Sequence, residues 1–124
     1  LAVYNAMDGG TELYAVSDTD VYDVSSAGAG TAKTLTVTDG KFQWDNFGDG
    51  TNNWLIMVNG VDTPKYWNGT AWVQVTGATS PAITGLPTTD IVNLCIYHNR
   101  IYFLENDSLS FWYMPAGAAG GAAT

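Results

Sequence analysis

The sequence predicts an all-β chain built from antiparallel meanders, and three observations carry that reading. Apolar residues come in short runs, and no segment shows the 3.6-residue apolar period of a packed helix. The chain has 14 glycines and 13% aromatic residues, and dipeptides such as Asp-Gly and Asn-Gly separate the runs, as expected of short strands joined by tight turns. An apolar quartet followed by a turn and an aromatic strand also recurs three times.

Taken in order, Leu1 to Tyr4 reads as a strand and Asp8-Gly9-Gly10 as a turn. Glu12 to Val16 and Val21 to Val24 form a hairpin around Asp18-Thr19-Asp20. Ser25 to Gly30 is a flexible loop. Thr31 to Thr38, with Leu35 and Val37 on one face, predicts an amphipathic strand, and Asp39-Gly40 turns the chain into Phe42 to Trp44. Asn46 to Asn53 is polar and glycine-rich, the composition of a surface loop.

The most organised stretch runs from Trp54 to Thr76. Trp54 to Val58 is apolar at every position, which predicts a strand buried on both faces, and Asn59-Gly60 ends it. Pro64 has no amide donor, so it suits a position just before a strand, and the next strand is expected to begin at Lys65. Asn68-Gly69 supplies the positive φ of a tight hairpin, and Val73 to Thr76 alternates apolar with polar side chains. Gly77 to Asp90, with Pro81, Gly85 and Pro87, reads as a long connection. Ile91 to His98, Arg100 to Leu104 and Ser108 to Met114 are three further strands, the last alternating through Leu109, Phe111 and Tyr113. Pro115 to Thr124 is Ala, Gly and Thr after its first residue and is expected to be a linker or tail beyond a single domain of residues 1–114.

The repeated quartets begin at Leu13, Leu55 and Ile101, 42 and 46 residues apart. A period of roughly 40 to 50 residues with several strands in each repeat is the signature of a β-propeller blade. The expected architecture is therefore a partial propeller of about three blade-like units, with a β-sandwich or barrel as the alternative. Three blades fall short of the roughly 4 to 8 that close a ring, so the propeller reading requires further blades from other chains or from sequence outside this piece.

Charge and chemistry narrow the function. Twelve acidic residues against four basic ones give a net charge of −8, so a phosphate backbone is repelled and a basic nucleic-acid site is not expected. Cys95 is the single cysteine and lies in the run Leu94 to Tyr97, where a thiol is expected to act as a small core hydrophobe; no intrachain disulfide can form. No run reaches the roughly 20 apolar residues of a membrane helix. The chain begins at Leu1 without a signal-peptide pattern, as expected of a piece or a processed product.

His98 is the single histidine and has no base or orienting partner in the sequence, and no nucleophile, zinc or phosphate-loop fingerprint is present. Asp45 to Gly50 has the outline of a calcium loop, but Phe47 stands at a ligand position and Ile56 where a bidentate Glu is required. The expectation is a non-enzyme with no cofactor and no metal. Asn68-Gly69-Thr70 and Asn106-Asp107-Ser108 match glycosylation sequons, but each is better read as turn chemistry.

The aromatic residues remain as candidates. Trp44, Trp54, Trp67, Trp72 and Trp112 sit in apolar strand contexts that favour core packing. Trp67 and Trp72, flanking Asn68-Gly69, are the pair placed to stack on a sugar ring if the chain is a carbohydrate-binding module.

From Val58 to Gly121, the pattern Val58-Asn59-Gly60, Tyr66-Trp67-Asn68-Gly69, Trp72, Val75-Thr76-Gly77, His98-Asn99-Arg100, Tyr102-Phe103, Ser108, Trp112-Tyr113 and Gly117 to Gly121 resembles bacteriophage virion proteins of the tail hub, nozzle or head-to-tail stabilisation type. The likeness covers about half the chain and rests on turn and aromatic positions. It implies a propeller-bearing, non-enzymatic structural subunit of the virion tail or head-tail connection. Such a subunit forms a homo-oligomeric ring with other virion proteins, and DNA at most passes through its channel. On that reading Tyr66, Trp67, Trp72, Arg100, Trp112 and Tyr113 are interface or packing residues; in the alternative, the exposed tryptophans bind glycan.

Overall fold

The computed structural model describes residues 1–124. The chain is all-β, with β1 (Ala2–Asn5), β2 (Thr11–Val16), β3 (Val21–Asp23), β4 (Thr31–Lys33), β5 (Gln43–Gly48), β6 (Asn53–Val58), β7 (Lys65–Trp67), β8 (Trp72–Gln74), β9 (Ile83–Thr84), β10 (Ile91–Tyr97), β11 (Arg100–Glu105), β12 (Phe111–Tyr113) and β13 (Gly121–Ala122). These strands form three antiparallel meanders in chain order: β1-β2-β3-β4, β5-β6-β7-β8 and β10-β11-β12. A two-stranded parallel pair, β9 with β13, completes the fold. Each apolar quartet identified in the sequence occupies the second strand of its meander.

The three sheets stack face to face with the middle one between the other two. Side chains alternate across a strand, so β6 presents Leu55 and Met57 to one side and Trp54, Ile56 and Val58 to the other. Leu55 and Met57 pack with Ala2, Tyr4, Tyr14, Val21 and Val37 of the first sheet and its connection. Trp54, Ile56 and Val58 pack with Ile83, Leu86, Ile91, Ile101, Phe103 and Met114 on the third-sheet side. Leu55, Ile56, Met57 and Val58 are each 0% exposed. Complete burial contributes roughly 1.5–3 kcal/mol per side chain, which makes β6 the strand on which both cores depend.

The first strands of the three meanders run in the same direction. At the end of β1, Asn5 N–H donates to Asn46 Oδ1 in β5, and Asn53 Nδ2 donates to the Asn5 carbonyl from the start of β6. Gly60 N–H, just past β6, donates to the Ile91 carbonyl at the start of β10. Because β6 ends beside the start of β5, β5 and β10 also start together.

Tyr4 reaches the β7–β8 turn, where Gly69 has φ +88; a Cβ there would stand 2.8 Å from the Tyr4 hydroxyl. Glycine is thus required at this turn both by its backbone and by the adjoining sheet.

Four sequence expectations change. Thr31 to Thr38 is strand only as far as Lys33, because the chain leaves the sheet to cross to the middle one. Val37 then plugs the first core and Thr38 is held by Asp62, whose carboxylate accepts from Thr38 N–H at 2.9 Å and from its hydroxyl at 2.8 Å. Asn46 to Asn53 is not one loop. β5 continues to Gly48 because Asn46 bonds across to β1, its Nδ2 donating to the Val3 carbonyl, and the turn shrinks to Asp49–Asn52.

In β12 the inward residue is Trp112, followed by buried Met114, while Phe111 and Tyr113 face out and Leu109 is fully exposed in the preceding turn. The expected alternation was thus read one residue out of phase. Residues 115–124 are not a loose tail. Gly121 and Ala122 pair with Ile83 and Thr84, Ala119 is 5% exposed, and Tyr113 and Thr124 exchange backbone hydrogen bonds. Gly120 permits this approach, since any Cβ at that position would collide with the Ala82 carbonyl.

Candidate assembly surface

The six sequence-selected residues fall into three settings. Tyr66 is fully buried in the core between the middle and third sheets, 5.8 Å from Trp54 by ring centroid, and burial pushes its phenol well above the ordinary tyrosine range. Trp112 is half-buried against the same core. Both are packing residues.

Trp67 and Trp72 lie where the first and middle sheets meet. Facing each other across β7 and β8, their rings stack at 5.3 Å and 28°, and Tyr14 sets its edge against both, 6.1 Å from Trp67 and 5.1 Å from Trp72. Trp67 Nε1–H donates to Glu12 Oε2 at 2.7 Å, and the Tyr14 hydroxyl donates to the same oxygen at 2.6 Å. Burial first, then the bond to Glu12 and its charge, raises the Tyr14 phenol far above the usual value. These aromatic faces are spent in large part on one another, so the cluster joins the two sheets.

Arg100 and Tyr113 lie on the outer face of the third sheet. The guanidinium stands 4.8 Å from the Tyr113 ring centroid, within cation–π range, and Tyr102 packs beside Tyr113 at 6.1 Å. The cross-strand pairs Tyr97–Arg100, Cys95–Tyr102–Tyr113 and Leu104–Phe111 place these side chains on one face. Tyr97 is 64% exposed, Phe111 62% and Leu104 48%. Cys95 is exposed among them rather than acting as a core hydrophobe, because Leu94 and Ile96 take the inward positions of β10. A shallow depression of about 280 Å³ opens beside Cys95, Tyr102, Leu104 and Phe111.

Sequence reasoning missed Cys95, Tyr97, Leu104 and Phe111 as one surface. The available signal was that both alternate positions of β10 and β11 are apolar, as in the doubly covered β6.

The opposite end of the stack is the outer face of the first sheet, where Val3 pairs with Leu13 and Ala15 pairs with Tyr22, which pairs in turn with Ala32. Leu13 is 39% exposed.

A polar cleft of about 610 Å³ lies at one end of the strands, among Asp49, Asn52, Asn68 and Gly117 to Gly120. Two of its polar side chains are engaged in turns: Asp49 accepts from Thr51 N–H, Asn52 N–H and the Trp54 indole, and Asn68 accepts from Thr70 N–H and Ala71 N–H. The Asn68 sequon is therefore an Asx turn. No group of three or more His, Cys, Asp or Glu side chains is placed to hold a metal ion, and no helix is long and apolar enough to cross a membrane. No family model, curated protein or solved structure matches the chain.

Proposed function

We propose that the chain is a non-enzymatic structural subunit of a bacteriophage virion, part of a ring at the tail or head-tail connection that assembles through propeller-type sheet packing. The observation that carries this reading is the stack of three meanders with co-directional first strands, whose middle sheet is covered on both faces while each outer sheet keeps one face free. Such a stack has the form of consecutive propeller blades, and its free faces are where further blades add. The net charge of −8 suits a ring around DNA in transit, since repulsion removes the counterion-release gain that makes proteins adhere to it.

The test is mass spectrometry and immunogold microscopy of purified phage particles from cells that express the chain. Stoichiometric presence at the tail or neck is the expected result. Particles that lack the chain would refute the proposal.

A further inference from the structure

We propose that the outer face of the third sheet binds the outer face of the first sheet of a second copy of this chain, in a head-to-tail contact. The inference rests on the ring reading above and names the surfaces that such a ring would use.

The chain displays twice, in its own interior, what covers a meander of this kind: another meander whose first strand runs in the same direction. The first sheet covers one face of β6 and the third sheet covers the other. Continuing the series past β10 requires a sheet that presents its uncovered face, and the chain carries one such sheet at its opposite end. Both surfaces are largely apolar: Tyr97, Leu104 and Phe111 stand exposed on the third sheet, and Val3, Leu13, Ala15 and Tyr22 share the outer face of the first.

Charge supplies an independent indication. The one ion pair within the chain joins Lys33 to Asp23, which leaves Arg100 without a carboxylate on a largely apolar surface whose other polar side chains include Asn93. Arg100 follows the β10–β11 turn. The corresponding turn of the first sheet, between β1 and β2, holds Asp8 and the 62% exposed Met7. One Asp8 oxygen accepts from Gly10 N–H, and the other accepts no hydrogen bond within the chain. Stacking a second copy in the sense used inside the chain lays that turn over Arg100, bringing Asp8 to the guanidinium and Met7 beside Tyr97. Both ends of the contact are then satisfied, and because each copy keeps one free face, the contact propagates until a ring closes.

The experiment uses Leu104→Asp, which blocks the third-sheet face, and Leu13→Asp, which blocks the first. Both sites are exposed on strand faces, and far-UV circular dichroism checks that each variant keeps its strands. In sedimentation velocity over micromolar concentrations, the unmodified chain is expected to self-associate. Each variant alone is expected to be monomeric, with association weakened on the order of 100-fold by a buried unpaired charge. An equimolar mixture should form a dimer and stop there, because one sound face of each kind remains. In that dimer the Cys95 of the Leu13→Asp chain should lose reactivity toward a maleimide, while the Cys95 of the Leu104→Asp chain keeps it.

A charge exchange provides a second measurement: Asp8→Arg and Arg100→Asp each weaken association, and the double variant regains it. A mixture that stays monomeric overturns the proposal. So does a Leu13→Asp chain that dimerises by itself, since that result means the third sheet packs on its own twin. Persistent monomers of the unmodified chain overturn it as well. None of these outcomes touches the particle test above, which can fail or succeed separately.

Discussion

Removing the Asp62 carboxylate tests whether the crossover between the first and middle sheets is held by a few buried hydrogen bonds. Asp62 is 7% exposed and its carboxylate accepts three: from Thr38 N–H, from the Thr38 hydroxyl and from Asn59 Nδ2. Asn59 in turn donates to the Asp39 carbonyl, and its own oxygen accepts from Asp62 N–H. Asp62→Ala leaves three donors without an acceptor. At roughly 1 kcal/mol for each, the low end for such groups because the cluster lies close to solvent, the loss is about 3 kcal/mol. Asp62→Asn keeps one acceptor oxygen and the shape, so its cost is about half of that.

Urea unfolding followed by tryptophan fluorescence reads the difference. With a slope near 2 kcal/mol per molar, Asp62→Ala should lower the midpoint by about 1.5 M with no change in slope. A shift equivalent to less than about 0.5 kcal/mol would show that the crossover is held by Val37 packing alone, and the reasoning would be refuted.

Leu55→Ala and Ile56→Ala, adjacent in β6 but facing different cores, should each cost about 2–5 kcal/mol in urea unfolding, and a neutral result at either would show that the corresponding core is not formed. Trp72→Ala should lower stability by about 2–3 kcal/mol and weaken the near-ultraviolet circular dichroism of the aromatic cluster, whereas an unchanged spectrum contradicts the ring stacking. Stability should also fall at both pH extremes. Burial works to raise the carboxyls of Asp49 and Asp62, but hydrogen bonds to each outweigh it and hold them below the unfolded value, so their contribution is full above about pH 4 and is lost as pH falls through the folded value. Burial raises Tyr14 and Tyr66, whose contribution is full below about pH 10 and lost above it; a denaturant midpoint that stays flat through either window counts against these environments. Deleting residues 118–124 should lower the thermal midpoint by several degrees, while no shift would mean that β13 does not dock.

Local chemistry made much of the fold legible. The uninterrupted apolar run from Trp54 to Val58 announced a strand covered on both sides, Pro64 placed the start of β7 at Lys65, and Asn68-Gly69 placed the next turn. Hidden were the features set by contacts far apart in sequence. Nothing local to Asn46 reveals that its amide bonds to β1, so its segment read as loop. The run Thr31 to Thr38 alternates like a strand, but the partner at Asp62 lies 24 residues beyond Thr38 and draws the chain away. Lys65 is 0% exposed with its ammonium donating to Gln74 Oε1, a burial that nothing local in the sequence marks.

Among the candidate residues, composition separated neither Tyr66 and Trp112, which are core, nor Trp67 and Trp72, which join two sheets, from Arg100 and Tyr113, which lie outside. Strand parity decides which way an aromatic points, and one residue of phase error in β12 reversed it.

The parallel pairing of β13 with β9 bears on the order in which the chain can mature during synthesis. A nascent chain that has emerged only as far as residue 114 already contains all three meanders, but Ile83 and Thr84 still lack the strand that clasps them. This latch therefore closes after the three meanders, once the 37 residues from Gly85 to Gly121 have been made, and until then Ile83 leaves one side of the core between the middle and third sheets open to water.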